Sequence, residues 1–300
     1  MMLESVLFGD NSDTHNRKKG ALYQIMKRIY STDLAIERRR ATEDIPGVTL
    51  KKEAGEIGEW ERLTVSSEDG AREIGRPRGN YDTLNLGKID PLDRMRIEDA
   101  SDEVARELCR MVESVDVSPD RLLIVGLGNP ELTPDSVGVA AARLVEPTMQ
   151  LKTLDEKLFY SLECSEIAVI TPNVMSITGI ETADIVCGVA RAVRPDAVIV
   201  IDALAARSPK RLGTTIEFSN TGIQPASGVG MHQRSIDENL LRSPVITVGV
   251  PTVIDSSLFF EEEGIKKEGM LVSPGDIDST VSTMAKIISG GINQAFGIFY

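Results

Sequence analysis

From Arg121 onward the sequence alternates between short, continuously apolar runs and amphipathic stretches, and that alternation restricts the possible folds most. RLLIVGLG from Arg121, IAVIT from Ile167 and AVIVID from Ala197 are separated by helical periodicity over Pro134–Val145 and Glu181–Val193. A strand that is apolar at every position is buried on both faces, so the pattern predicts a parallel sheet covered by helices on each side. TTIEF near Thr214 and VITVGV near Val245 supply two more strands. A last helix is expected from Asp276 to Ser289, with Val281, Met284, Ile287 and Ile288 on one face and Gly290-Gly291 as its stop. Upstream, Ser101 is placed to cap a helix carrying Val104, Leu108, Met111, Val112 and Val115, closed by Pro119. VTL at Val48, LTV at Leu63 and YDTLNL at Tyr81, spaced by glycines, predict a small peripheral β region within residues 45–90. The expected fold class is therefore α/β, a mostly parallel sheet with helices on both faces plus that peripheral β region.

The N-terminus reads differently. Met1–Ile29 is polar and weakly periodic, and ERRRATED from Glu37 to Asp44 is densely charged, so the first forty residues are expected to form an exposed arm. Lys and Arg number 33 against 46 Asp and Glu, a formal charge of −13, which repels phosphate backbones and speaks against nucleic acid or anionic lipid as a partner. The longest apolar stretch, Ala197–Ala206, contains Asp202 and is far shorter than the ~20 residues of a membrane-spanning helix. No membrane association is expected. A secretory signal pattern is missing, and three widely spaced cysteines without a C-x-x-C fit reduced thiols in a cytoplasm.

Ligand sites of open parallel sheets lie beyond the carboxyl ends of the strands. Two carboxylates stand there: Asp202 ends AVIVI, and Asp135 follows the loop GLGNPELTP that leaves RLLIV. The loop is not a dinucleotide fingerprint, since the sixth position of the would-be G-x-G-x-x-G is Glu131, and neither a phosphate loop nor G-x-S-x-G occurs. Of the two histidines, His15 lies in the arm; His232 has a nearby Ser227 but no third orienting group or oxyanion motif. H-E-x-x-H is absent, so neither a metal nor another cofactor is expected. By elimination, Asp135 and Asp202 are the acid/base candidates. Candidates for substrate contact are Asn129 in the first loop, Thr178 and Gly179 in PNVMSITGIET, and Ser227 and Gly228 in SNTGIQPASGVG, a long loop rich in free amides. Met175 and Ile177 read as core.

Taken in order, VGLGNPELTPDSVG (Val125–Gly138), PNVMSITGIET (Pro172–Thr182), VIDALAAR (Val200–Arg207), TTIEFSNTGIQPASGVG (Thr214–Gly230) and VGVPTVID (Val248–Asp255) resemble the germination protease family of spore-forming bacteria. IPGV, IGRPRGNYDTL, LVSPGDID and ISGGINQAF extend the resemblance from about Thr32 to Phe296. It implies a single-domain α/β endopeptidase related in fold to the hydrogenase-maturation proteases, a phosphorylase/hydrolase-like architecture. The implied substrates are small acid-soluble spore proteins, degraded in the cytoplasm of the germinating spore. The family's two functional aspartates carry over to Asp135 and Asp202. A tetrameric zymogen is also implied, and STDLAIE from Ser31 resembles the family's autoprocessing site, with the cut between Asp33 and Leu34. The chain then divides into a propeptide-like arm, residues 1–33, and one peptidase domain, residues 34–300.

Two carboxylates suffice for peptide hydrolysis: an ionised one accepts a proton from the attacking water, and a protonated one donates. Which aspartate takes which role is left open by the sequence. Family members commonly read SDTGIHPGSGVGNKR where this chain has Asn220, Gln224, Ala226 and Met231-His232, which keeps a catalytically inactive, partner-binding relative in view. VGLGNP also opens the peptidyl-tRNA hydrolases, but those need a histidine where Asp135-Ser136 stands. A hydrogenase-maturation-type endopeptidase is nearer, yet its nickel site calls for a histidine with no counterpart here.

Overall fold

The computed structural model describes residues 32–38, 45–225, 233–260 and 270–298. Among them, nine strands form one sheet. In chain order these are β1 (Val48–Ala54), β2 (Glu59–Val65), β3 (Gly79–Asn85), β4 (Arg121–Gly126), β5 (Glu166–Ile170), β6 (Ala197–Ala206), β7 (Thr215–Ser219), β8 (Val245–Asp255) and β9 (Leu271–Val272). The spatial order is β1-β2-β3-β7-β8-β6-β4-β5, with β9 on β8. β5, β4, β6 and β8 are mutually parallel, as their apolar runs predict. β7 runs antiparallel to β8, and β3, β2 and β1 continue the sheet in antiparallel order. The peripheral strands thus extend the main sheet.

The helices are α1 (Ala35–Arg38), α2 (Glu68–Ile74), α3 (Arg94–Glu113), α4 (Val137–Ala142), α5 (Met149–Leu154), α6 (Glu156–Ser161), α7 (Met175–Thr178), α8 (Thr182–Val193), α9 (Glu238–Leu241) and α10 (Ile277–Phe296). Alternate residues of the parallel strands serve opposite faces. Leu122, Ile124, Ile199, Ile246 and Val248 pack with Val104, Leu108 and Met111 of α3 and Met284, Ile287 and Ile288 of α10. Leu123, Val125, Val198, Val200 and Val245 pack with Ala183, Val186, Cys187 and Ala190 of α8. The α/β fold with helices on both faces follows directly from that division.

Three sequence expectations need correction. α3 begins at Arg94, capped by the Asp93 side chain accepting from Arg96 N–H; Ser101 lies inside it and donates its hydroxyl to Ile97 O at 2.8 Å. α10 runs through Gly290-Gly291 to Phe296, because those glycines let it approach α3: a Cβ at Gly291 would lie 2.4 Å from Val104 Cγ1, and one at Gly290 2.7 Å from Ser101 Oγ. They act as a packing notch instead of a stop. The third concerns the arm. Thr32–Ile36 is buried, with Leu34 and Ala35 fully enclosed, so the exposed character expected of the first forty residues does not extend to this segment. No helix among the described residues is long and apolar enough to cross a membrane.

Candidate active site

β4 ends at Gly126, paired with Ile201 of β6, and Leu127 N–H prolongs the pairing by donating to Ile201 O at 2.8 Å. The chain then turns through Asn129 into a single 3-10 turn, Thr133–Asp135, and enters α4. Small residues hold this turn against the strand ends. Gly138 lies on Ile201, where a Cβ would come within 2.2 Å of its carbonyl oxygen, and Gly128, at φ +110°, lies on the backbone of Asp135. Asp135 is thereby carried to the carboxyl end of β6, where Asp202 sits.

Both carboxylates line one cleft of about 460 Å³, together with Asn129, Asn173, Thr182, Gln233 and Thr252. Asp135 accepts a hydrogen bond from Asn129 N–H at 2.9 Å. Burial raises its carboxyl above the ordinary value, and that amide opposes the rise. Asp202 is 5% exposed and accepts from Ala203 N–H at 2.9 Å. Burial pushes its carboxyl well above the usual carboxylate range, and the charges of Asp135 and Asp33 push it further. Two nearby carboxyls in an enclosed, mostly apolar cleft share the cost of ionisation, which suits a pair that holds one proton between them.

Of the expected substrate contacts, Asn129 lines the cleft through the loop it shares with Asp135. Thr178 and Gly179 do not; they close α7, whose opposite end contributes Met175 and Ser176 to the lining. Met175 and Ile177 are exposed, contrary to their reading as core, because α7 is one short turn standing off the sheet. Ser227, Gly228 and His232 lie outside the described residues. Asp33 is a member of the cleft that strand-end reasoning did not reach, since it belongs to the N-terminal segment. Asn173, in the connection between β5 and α7, adopts a left-handed backbone (φ +66°), a local hint that the chain bends sharply at the rim.

A sequence profile of the germination proteases matches residues 27–263. The chain belongs to that family. It is a peptidase, and membership decides at family level against the tRNA-hydrolase and hydrogenase-maturation readings. A germination protease of Caldanaerobacter subterraneus is 35% identical over 306 residues, covering 88% of this chain and 93% of its own. One from Clostridium tetani is 33% identical with similar coverage, and that of Bacillus subtilis is 38% identical over 248 residues, 80% of this chain and 67% of its own. Among solved structures, a [NiFe] hydrogenase maturation protease HycI from Thermococcus kodakarensis aligns with 58% of this chain and 93% of its own at 16% identity and a TM-score of 0.34.

Proposed function

We propose that this germination protease is an endopeptidase that degrades small acid-soluble spore proteins in the cytoplasm of the germinating spore, with Asp135 and Asp202 as its acid/base pair. One observation carries the reading: the two strand-end carboxyls line a single cleft and both are raised by burial, Asp202 the more strongly. Asp202, enclosed and protonated, is the acid. Asp135, half-buried and stabilised as an anion by Asn129 N–H, is the base.

Asp135 takes one proton from water as the water oxygen bonds to the scissile carbonyl carbon. Asp202 donates its proton to the carbonyl oxygen; the C–N bond then breaks as Asp135 passes the proton it took to the leaving nitrogen and Asp202 takes one back from a hydroxyl of the tetrahedral carbon. The products are one carboxyl and one amine, with both aspartates restored. General acid–base assistance of this kind contributes about 10²- to 10⁴-fold.

The enzyme is further proposed to be made as a homotetrameric zymogen whose residues 1–33 are removed by self-cleavage, leaving the domain that begins at Leu34. Support comes from Asp33, the residue before the proposed cut, which lines the same cleft and whose charge acts on Asp202. The test is incubation of the purified chain with a small acid-soluble spore protein and mass analysis of the fragments. Discrete cleavage lost in Asp202→Asn is the expected result. An intact spore protein, or cleavage that survives in the Asp135→Asn, Asp202→Asn double variant, overturns it; the intact result would favour the inactive, partner-binding alternative.

A further inference from the structure

Beside β6, which carries Asp202, the sheet continues with β4 and then β5, both parallel to it. Each of these two strands delivers an asparagine to the cleft just beyond its end, β4 closing at Gly126 before Asn129 and β5 at Ile170 before Asn173. Both side chains are held by their oxygens. Asn129 Oδ1 accepts from Glu131 N–H at 2.9 Å, an Asx turn, and Asn173 Oδ1 accepts from Val174 N–H at 2.8 Å. A backbone N–H binds only the oxygen of a carboxamide, so in each residue the Nδ2 amino group is the end left over. Neither Nδ2 has a hydrogen-bond partner among the described residues.

The main chain around both residues is fixed as well. Asn129 N–H donates to Asp135 Oδ2 at 2.9 Å, and Asn129 O accepts from Leu132 N–H at 3.1 Å. Asn173 O accepts from the Thr182 hydroxyl at 3.2 Å, and its left-handed backbone (φ +66°) is one that asparagine tolerates better than most residues. Donors held this way lose little freedom when a ligand arrives. The charge of the cleft narrows what that ligand is. Its acids are Asp33, Asp135 and Asp202, and among the described residues lining it there is no Lys, Arg or His. A carboxylate ligand would meet repulsion without a counter-charge, whereas a neutral amino group suits the oxygen of a peptide carbonyl. Negative charge that develops on such an oxygen also has to be met by neutral donors here.

We infer that Asn129 and Asn173 bind main-chain carbonyl oxygens of the polypeptide substrate, Asn129 Nδ2 holding the carbonyl under attack and Asn173 Nδ2 one further along the peptide. The inference rests on the peptidase reading of the Asp135–Asp202 cleft. Asn129 is assigned to the reacting carbonyl because its own N–H touches the base: the water taken up by Asp135 and the carbon it attacks lie within about 3 Å of one another. That carbonyl oxygen has two lone pairs, one for the Asp202 proton and one for Asn129 Nδ2, so both donors act on it together. Asn173 stands two strands from β6, roughly 10 Å at ~4.8 Å per strand, and an extended peptide covers that distance in about three residues. Its partner is therefore a carbonyl away from the bond that breaks. Asn129 then contributes mainly in the transition state, and Asn173 to binding throughout.

The test uses a peptide cut at one bond by the wild type, together with analogues in which each of the other peptide bonds in turn is replaced by an alkene. Asn129→Ala should lower kcat by about 10²-fold and leave KM within about twofold. The Leu132 N–H bond to the main chain of residue 129 remains in that variant. Asn129→Asp, which keeps the turn oxygen and lacks the donor, should lose at least as much. Asn173→Gly accepts the left-handed backbone without strain, and should raise KM about three- to tenfold with kcat little changed. One alkene analogue should weaken binding to the wild type by a similar factor and lose nothing further in Asn173→Gly.

A purely structural role is separable from this one. If Asn129 acted only by placing Asp135, its truncation would displace the acid limb of the kcat/KM profile; the limb is expected to stay, and a displaced limb overturns the role at the carbonyl. An Asn129→Ala enzyme with wild-type kcat does the same, as does an Asn173→Gly enzyme that feels every alkene as the wild type does. The two readings fail differently. A wild type that cuts peptides and spore protein while the asparagine variants match it sinks the carbonyl sites alone, and one that cuts neither sinks the peptidase reading and these sites with it.

Discussion

Gly128 and Asp135 are in backbone contact: a Cβ placed on Gly128 would stand 1.8 Å from the Asp135 carbonyl oxygen and 3.3 Å from its Oδ1. The turn that aims one of the two site carboxyls thus closes only around a residue with no side chain, at a backbone angle (φ +110°) that other residues avoid.

Gly128→Ala is therefore expected to cost about 1–3 kcal/mol of stability and to lower kcat by at least about tenfold, because Asp135 must move. Gly188, inside α8, makes the contrast: a Cβ there meets nothing within 4 Å, so Gly188→Ala should stabilise by about 0.5–1 kcal/mol and leave kcat alone. Thermal melts and initial rates on the same preparations check both. An unimpaired Gly128→Ala enzyme would show that the turn is not what sets Asp135.

The carboxyl pair predicts both a mutational and a pH signature. Asp135→Asn and Asp202→Asn should fold yet lose peptidase activity by about 10²-fold or more, and the double variant should be hardly worse than either single one, since the groups act as a unit. In the wild type, kcat/KM should be bell-shaped: it falls at low pH as the pair takes up its second proton and the base is lost, and at high pH as Asp202 gives up the acid proton. Additive losses, or a profile without an alkaline limb below the range where Tyr and Lys titrate, would contradict this assignment.

Glu217 gives a stability prediction that is independent of catalysis. Burial pushes its carboxyl up to about 7, from an ordinary value of 4.5, although Arg76 and Ala35 N–H pull the other way. The folded state therefore holds a proton that the unfolded chain has released. That contribution is fully present below pH 4.5 and is lost as pH rises through 7. Glu217→Gln, neutral at every pH, should flatten the fall of stability between those values and be the more stable protein above pH 7, by an amount on the order of 1–3 kcal/mol. Denaturant melts at pH 5 and pH 8 measure the difference. A variant that is less stable than wild type at pH 8 would show that the ionised carboxylate is well paired.

Self-cleavage predicts a mature N-terminus at Leu34, read by mass spectrometry of active protein, and its absence in Asp202→Asn. The enclosed setting of the bond adds a kinetic expectation. Thr32–Ile36 is already docked, so processing by a protein's own site should be first order and independent of protein concentration. A rate that grows with concentration would mean that one molecule cuts another.

Among the described residues there is no group of three or more His, Cys, Asp or Glu arranged to hold a metal ion. An acid/base pair of Asp135 and Asp202 works without a metal, so on that reading exhaustive chelation is expected to leave the cleavage rate unchanged. A loss restored by zinc at constant oligomeric state would make the reaction metal-dependent and would turn attention to His232.

What the sequence determined by itself is the scaffold and the two strand-end acids. Continuous apolar runs at β4, β6 and β8 allow only a sheet buried on both faces, and the carboxyl ends of such strands face the same edge of the molecule, so Asp202 and Asp135 are legible as polar punctuation after apolar segments. Local pattern also has limits visible in this chain. Gly290-Gly291 reads as a helix stop because glycine is a poor helix former in isolation, yet the packing of α10 against α3 outweighs that preference. Tertiary structure alone decided the surroundings of Asp33. Its partner Ala205 is 172 residues away, and Arg76 and Glu217 come from two further elements. No periodicity connects such residues, because their proximity is fixed by sheet order and by where β4 stops. Burial, likewise a property of the assembled chain, is what raises the Asp202 carboxyl, as it does that of Glu217.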